Sequence, residues 1–200
     1  MTLFTRILAS AALAGALTGC SLGGMLGGGK PPATLQTLTA QAPDPGPSAR
    51  TVNAGQAVTI MTPTVPKELR TVRVPASISP TDIQYVTNLQ WVDTPDKLFQ
   101  DLLEETIRRT TGRVVLDPAQ PSVDPGLVVT GQLQRFGYDA ATGQVVVVYD
   151  ASLSTEGGNR VEARRFTASV PSDGTGPSVG PSLNSAANQV AAEVAKWIGG

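Results

Sequence analysis

Along QVVVVYDASLS, residues 144–154, the apolar positions Val145, Val147, Tyr149, Ala151 and Leu153 recur at every second residue, the period of a strand with one face buried. Val146 and Val148 fall on the opposite face and are apolar too, so that face is either covered or meets a partner or a lipid. In the preceding segment LVVTGQLQRF, Leu127, Val129 and Leu133 share a face, and DAATG makes the turn into the next strand. EGGN, residues 156–159, then makes a hairpin turn into RVEARRFTASV as the partner strand. Shorter extended segments come earlier. They are Thr34–Ala40, ended by PDPGPS, then Gln56–Pro66, Glu68–Ser77, Ile83–Thr87 and Arg113–Asp117. Prolines in the second and third favour edges or strand ends.

The period changes in TPDKLFQDLLEETIRRTTG. Leu98, Phe99, Leu102, Leu103 and Ile107 gather on one helical face, with Thr94 as N-cap, Pro95 at the first helical position, Asp96 in the first turn and Gly112 closing the end. A second helix is expected in SLNSAANQVAAEVAKWIGG, where Leu183, Ala187, Val190, Val194 and Ile198 align after a loop PSDGTGPSVGPS. Together these elements predict a single α+β domain, a mainly antiparallel sheet with two helices packed on one face.

The first 33 residues follow a different rule. Arg6 precedes the short apolar block Ile7–Gly19, which has the charge, apolar centre and small-residue end of a secretory leader and is short for a permanent span. Leu17, Thr18, Gly19 and Cys20 resemble the lipobox of bacterial lipoproteins, which implies cleavage before Cys20 and acylation of its sulfur and new amino terminus with chains such as palmitate. A leftover cysteine in an exported chain otherwise points to an intermolecular disulfide or a reactive thiol, but the flanking leader favours lipidation. Two or more acyl chains anchor a protein stably without any transmembrane helix. The expected organisation is a leader at 1–19, lipidated Cys20 with a glycine-rich tether to residue 33, and a folded domain over 34–200. GMLGGGKP, residues 24–31, fills seven positions of a phosphate-binding loop. It lacks the flanking strand and helix, and Pro31 stands where the hydroxyl is needed.

Composition narrows the chemistry. The chain has no histidine, which removes serine–histidine and cysteine–histidine catalysis and histidine-containing zinc sites. Without Arg6 the mature chain has 14 basic against 16 acidic residues, a balance that gives no electrostatic reason to bind nucleic acid. No cofactor is expected. Asp93, Asp96, Asp101, Glu104 and Glu105 cluster on and around the first helix, where acids are ordinarily its solvated face rather than a catalytic pair. With aromatics at only 4%, Trp91 and Trp197 are expected to fill the core or clamp helix ends.

The lipobox cysteine, QAVTIMTPTVP, IQYVTNLQW leading into TPDKLFQDLLEETIRRT, VVTGQLQRFGYDAATGQVVVVYDASLS, and RFTASV before NQVAAEVAKWI resemble, in that order, the ABC-type transport auxiliary lipoproteins of the PqiC-like group. The resemblance covers roughly residues 30–198; Leu35 and Leu38 stand in the first short strand where the family has an aromatic residue. It implies a non-enzymatic accessory on the periplasmic side of the envelope, working beside MCE-domain proteins and ABC transporters that move phospholipids or other apolar molecules between membranes. Expected partners are therefore an MCE-domain protein, the transporter, the membrane through acylated Cys20, phospholipid and further copies of the chain. Ser21 after the cysteine, in place of aspartate, points to the outer membrane. An envelope structural or assembly lipoprotein without lipid traffic is the alternative.

Overall fold

The computed structural model describes residues 34–47, 49, 55–119, 126–155 and 160–199. The expected leader, Cys20, its tether, the sequence at 24–31 and the hairpin turn at 156–159 lie outside the described residues. Seven strands and two α-helices follow in the order β1 (Ala57–Ile60), β2 (Arg73–Ser77), β3 (Ile83–Gln90), α1 (Pro95–Thr110), β4 (Val114–Leu116), β5 (Leu127–Asp139), β6 (Gln144–Ser154), β7 (Val161–Pro171) and α2 (Gly176–Gly199).

The 13-residue β5 is the spine of one sheet. On one side it pairs antiparallel with β6 from Val128↔Ser154 to Asp139↔Gln144, and β6 pairs in turn with β7 from Gln144↔Pro171 to Ser154↔Val161. Its other side is long enough to hold two short strands end to end. β1 runs parallel to it at Val58↔Leu127 to Ile60↔Val129, Thr64 bridges Gln132, and β2 runs parallel at Ala76↔Tyr138 and Ser77↔Asp139. β4 adds parallel to β1, and β3 adds antiparallel to β2. The α+β sheet with two helices is as expected, but it is mixed: its long β5–β6–β7 ladders are antiparallel, as is β2–β3, and the short pairings of β1, β2 and β4 add parallel strands. The cause is the 62–72 connection: it carries the chain forward from β1 into β2 through a 3-10 turn at Lys67–Leu69 instead of reversing it.

Both helices cover the same face, α1 against α2, β1 and β4, and α2 against β3, β5, β6 and β7. The alternation in β6 is as expected: Val145, Val147, Tyr149 and Ala151 are buried while Val146 and Val148 are half-buried on the face opposite the helices. These side chains join Val129, Leu133, Phe136, Phe99, Leu103, Ile107, Leu183, Val190 and Val194 in one core. Burying each such aliphatic or aromatic side chain stabilises the fold by roughly 1.5–3 kcal/mol relative to leaving it exposed. Trp91 is buried against Phe136 with ring centroids 5.7 Å apart, and Trp197 packs on Phe166 at 5.5 Å.

One local expectation is refined and two are corrected. Thr94 is the N-cap of α1 as expected but makes no side-chain capping hydrogen bond, and the Asp93 carboxylate accepts the Thr94 N–H at 2.7 Å. Thr111, not Gly112, closes α1, its N–H and hydroxyl both donating to the Ile107 carbonyl. The second helix begins at Gly176, inside the segment PSDGTGPSVGPS that composition assigned to a loop, and carries Pro181 within it. Glycine there serves packing: a Cβ on Gly176 would stand 3.1 Å from the Thr87 carbonyl oxygen, and one on Gly180 3.4 Å from Leu89. The two glycines let α2 lie close against β3.

Candidate functional site

The segment Thr34–Ala40, expected as a short strand, is extended as its period-two pattern requires, with Gln36, Leu38 and Ala40 more buried than their neighbours. Its partners are not a strand ladder. Gln36 makes an isolated bridge to Trp91, donating its N–H to the Gln90 carbonyl at 2.8 Å and accepting from the Val92 N–H at 2.8 Å. Beyond that bridge the chain lies along the helical layer, where side chains take the place of a neighbouring strand.

Asn188 is 7% exposed, and its amide serves the strap twice. The Asn188 carbonyl oxygen accepts the Gln41 N–H at 2.7 Å, and its NH2 donates to the Thr39 carbonyl at 2.9 Å. One turn earlier, Asn184 accepts the Thr39 N–H at 2.9 Å. From α1, Arg109 donates to the Ala42 carbonyl at 2.9 Å while its Nε holds Glu105 at 2.6 Å. Leu38 and Ala40 pack on the core beneath. Residues 36–42 therefore form a strap held by both helices, and its exposed residues continue toward Cys20 in sequence. Sequence reasoning missed Asn184, Asn188 and Arg109 in this role.

Val146 and Val148 sit on the face opposite the helices. Val146 is flanked by Gly137 and Ser169, and Val148 by Arg135 and Thr167. Asp150 on the same face receives two hydrogen bonds from Arg165, both 2.6 Å, which hold its carboxyl below the usual carboxylate range. The two valines are thus half-buried between Gly137, Ser169, Arg135 and Thr167.

Of the five acids on and around α1, Asp93, Glu104 and Glu105 pair with bases, while Asp96 buries one carboxylate oxygen without a partner among the described residues. Glu104 pairs with Arg108 at 2.7 Å, Glu105 with Arg109 at 2.6 Å, and Asp93 with Lys97 at 3.5 Å. These are the i,i+4 pairs of a solvated helix face. Among the described residues no group of three or more metal-ligating side chains converges. A cleft of about 620 Å3 lies where α1 and α2 end, bordered by Thr110, Arg113 and Lys196. Its Arg113 guanidinium already donates to the Ile198 carbonyl at 2.9 Å. No described helix is long and apolar enough to cross a membrane.

A search of curated protein sequences found no match. Among solved structures, a Xanthomonas campestris protein superposes with a TM-score of 0.68 at 18% identity, covering 83% of this chain and 95% of that one. A second crystal structure, of an uncharacterised protein, matches at 0.63 and 18% identity over 75% of this chain and 96% of its own. The PelC dodecamer of Paraburkholderia phytofirmans is similar only at 0.43, with 14% identity, over 76% and 94% of the two chains. At these identities the first two show a shared fold, and the third supports no argument. The family model for the ABC-type transport auxiliary lipoprotein component matches residues 37–195, from the strap through nearly all of α2, and the chain belongs to that family.

Proposed function

We propose that this protein is a lipid-anchored, non-enzymatic accessory of an MCE-type ABC transport system, held through acylated Cys20 on the periplasmic side of the envelope, at the outer membrane. The observation that carries the reading is the LTGC sequence at residues 17–20 standing ahead of a domain of the transport auxiliary lipoprotein family. Acylation turns a soluble body into a membrane-bound one with no spanning helix. The sheet face opposite the helices, bearing Val146 and Val148, is the surface assigned to a partner protein, because half-buried valines bordered by Ser169, Thr167 and Arg135 suit contact with another folded surface. The absence of histidine and the pairing of the α1 acids with arginines support a role without catalysis.

Crosslinking in the native envelope followed by mass spectrometry tests the assignment. The expected result is recovery of an MCE-domain protein and transporter subunits, with crosslinks mapping to β6 and β7. Repeated recovery of neither, with other envelope complexes intact, rejects it. Normal phospholipid distribution combined with defective barrel or surface-polymer assembly on deletion favours the structural alternative. Replacing Asp101, Glu104 and Glu105 with their amides is expected to leave the deletion phenotype fully complemented.

A further inference from the structure

The sheet has three edges, and they are not protected alike. Exposed edges present unpaired backbone groups, which proteins ordinarily blunt with charge, brevity or a bulge. β7 carries Arg160 at its entry and Glu162, Arg164 and Arg165 along it, and β4 is only three residues long. β3 is neither charged nor short, and its one guard is a bulge. Ile83–Val92 contains no Asp, Glu, Lys or Arg, and neither does the strap segment 34–43 that joins it at Gln36. Four of the six exposed large apolar side chains among the described residues lie at the two ends of this edge. Ile78 and Ile83, 44% and 48% exposed, stand at the β2–β3 tip, and Leu35 and Val92, both 52% exposed, flank the Gln36 bridge.

The shape of the edge selects its occupant. Between Arg73↔Gln90 and Pro75↔Tyr85, five residue steps on β3 oppose two on β2, and Asn88 lies at φ 55°, in the left-handed region. Such a bulge spoils the regular ladder that an added strand from another chain would need. A lipid interface demands no register. The chain outside the structure also ends here: the strap fixes Thr34 beside β3, and the 14 residue steps back to Cys20 span at most about 50 Å fully extended. Tethering confines this edge, more than any other surface, to the neighbourhood of the bilayer.

We propose that the β3 edge, with Leu35, Val92, Ile83 and Ile78, rests on the lipid surface to which the protein is anchored, leaving the β6–β7 face free for its partner. This rests on the proposed acylation of Cys20. The charged groups bordering the contact are already engaged, Asp93 with Lys97, Arg135 with Asp139, Asp82 with the Ser79 hydroxyl and Arg73 over the Tyr85 ring, so the contact is carried by its apolar side chains, fits a zwitterionic interface and is insensitive to salt.

The test uses the full acylated chain, whose native thiol the modification blocks, with single substitutions Leu35→Cys, Ile83→Cys, Val92→Cys and, as control, Thr167→Cys on β7. Each is labelled with nitrobenzoxadiazole and reconstituted into phosphatidylethanolamine vesicles with and without doxyl-labelled lipid. A blue shift and quenching at 35, 83 and 92, absent at 167 and unchanged in high salt, are expected. Flotation of the protein with the vesicles without quenching at the three edge positions overturns this inference and leaves the anchor standing. Failure to float overturns the anchor and this inference together. Quenching confined to high anionic lipid and abolished by salt replaces the apolar contact with an electrostatic one and also overturns it.

Discussion

At the scale of single residues, buried polar atoms separate into two kinds with opposite consequences. Asn188 satisfies both ends of its amide on the strap backbone. Truncating it leaves the Gln41 N–H and the Thr39 carbonyl without their partner, a loss of about 1–3 kcal/mol. Asn188→Ala is thus expected to lower the midpoint of thermal unfolding by several degrees and to expose residues 36–42 to limited proteolysis before the rest of the domain. Tyr149 is the reverse case. It is fully buried against Phe99, with ring centroids 5.1 Å apart, and its hydroxyl has no hydrogen-bond partner among the described residues. Tyr149→Phe is expected to be neutral or slightly stabilising in denaturant titrations at neutral pH, since it removes an unpaired polar atom from the core. Burial also raises the pKa of that phenol above its ordinary value of 10. The folded state therefore holds the proton more tightly than the unfolded chain. Stability is intact below pH 10 and falls as pH rises above it, and the alkaline slope is expected to be shallower in Tyr149→Phe.

At the scale of elements, the strands and helices that face the core were legible because their periods are strict. β6 spans 144–154 as its alternation requires, and α1 lies within the amphipathic segment that begins at Thr94. What sequence could not show was set by distant contacts. Glycine and proline at 176–181 have the composition of a loop, yet the close approach of α2 to Thr87 and Leu89 demands small residues there. The strap has a strand's alternation, but its partners Asn184 and Asn188 lie about 145 positions away in sequence, with no local signal to mark them. Parallel pairing of β1 and β2 with β5 was hidden for the same reason, because it depends on the path of the 62–72 connection. The Cys20 sequence was readable because it is a local pattern, and it lies outside the described residues. A close contact between neighbouring strands yields a sharper prediction. A Cβ on Gly131 would fall against the Asp150 carbonyl and within 2.6 Å of the Tyr149 ring, where backbone cannot yield. Gly131→Ala is expected to destabilise the β5–β6 pair by about 1–3 kcal/mol, read as a lower denaturant midpoint with unchanged slope.

At the scale of the whole molecule, folding of the described domain and the proposed anchoring at Cys20 draw on different residues. Among the described residues every core side chain lies between Leu38 and Ile198, and the strap fastens the start of that span through Gln36, Asn188 and Arg109. Cys20→Ser should therefore separate folding from anchoring. The variant is expected to unfold with the same thermal midpoint as the acylated protein measured in detergent, and to move from the membrane fraction to the aqueous fraction on cell fractionation. It should also fail to complement a deletion, since a body released into the periplasm loses both its orientation and its local concentration at the transport assembly. Asn188→Ala provides the complementary case. Its Cys20 sequence is unchanged, but residues 37–42 lose their hold on α2, which is expected to weaken the Gln36 bridge and with it the proposed placing of the β3 edge on the bilayer. Membrane fractionation of Asn188→Ala should be normal and its crosslinks to a partner through β6 and β7 reduced. Equal loss of both in the two variants would mean that the strap sustains the fold alone and has no part in presenting it.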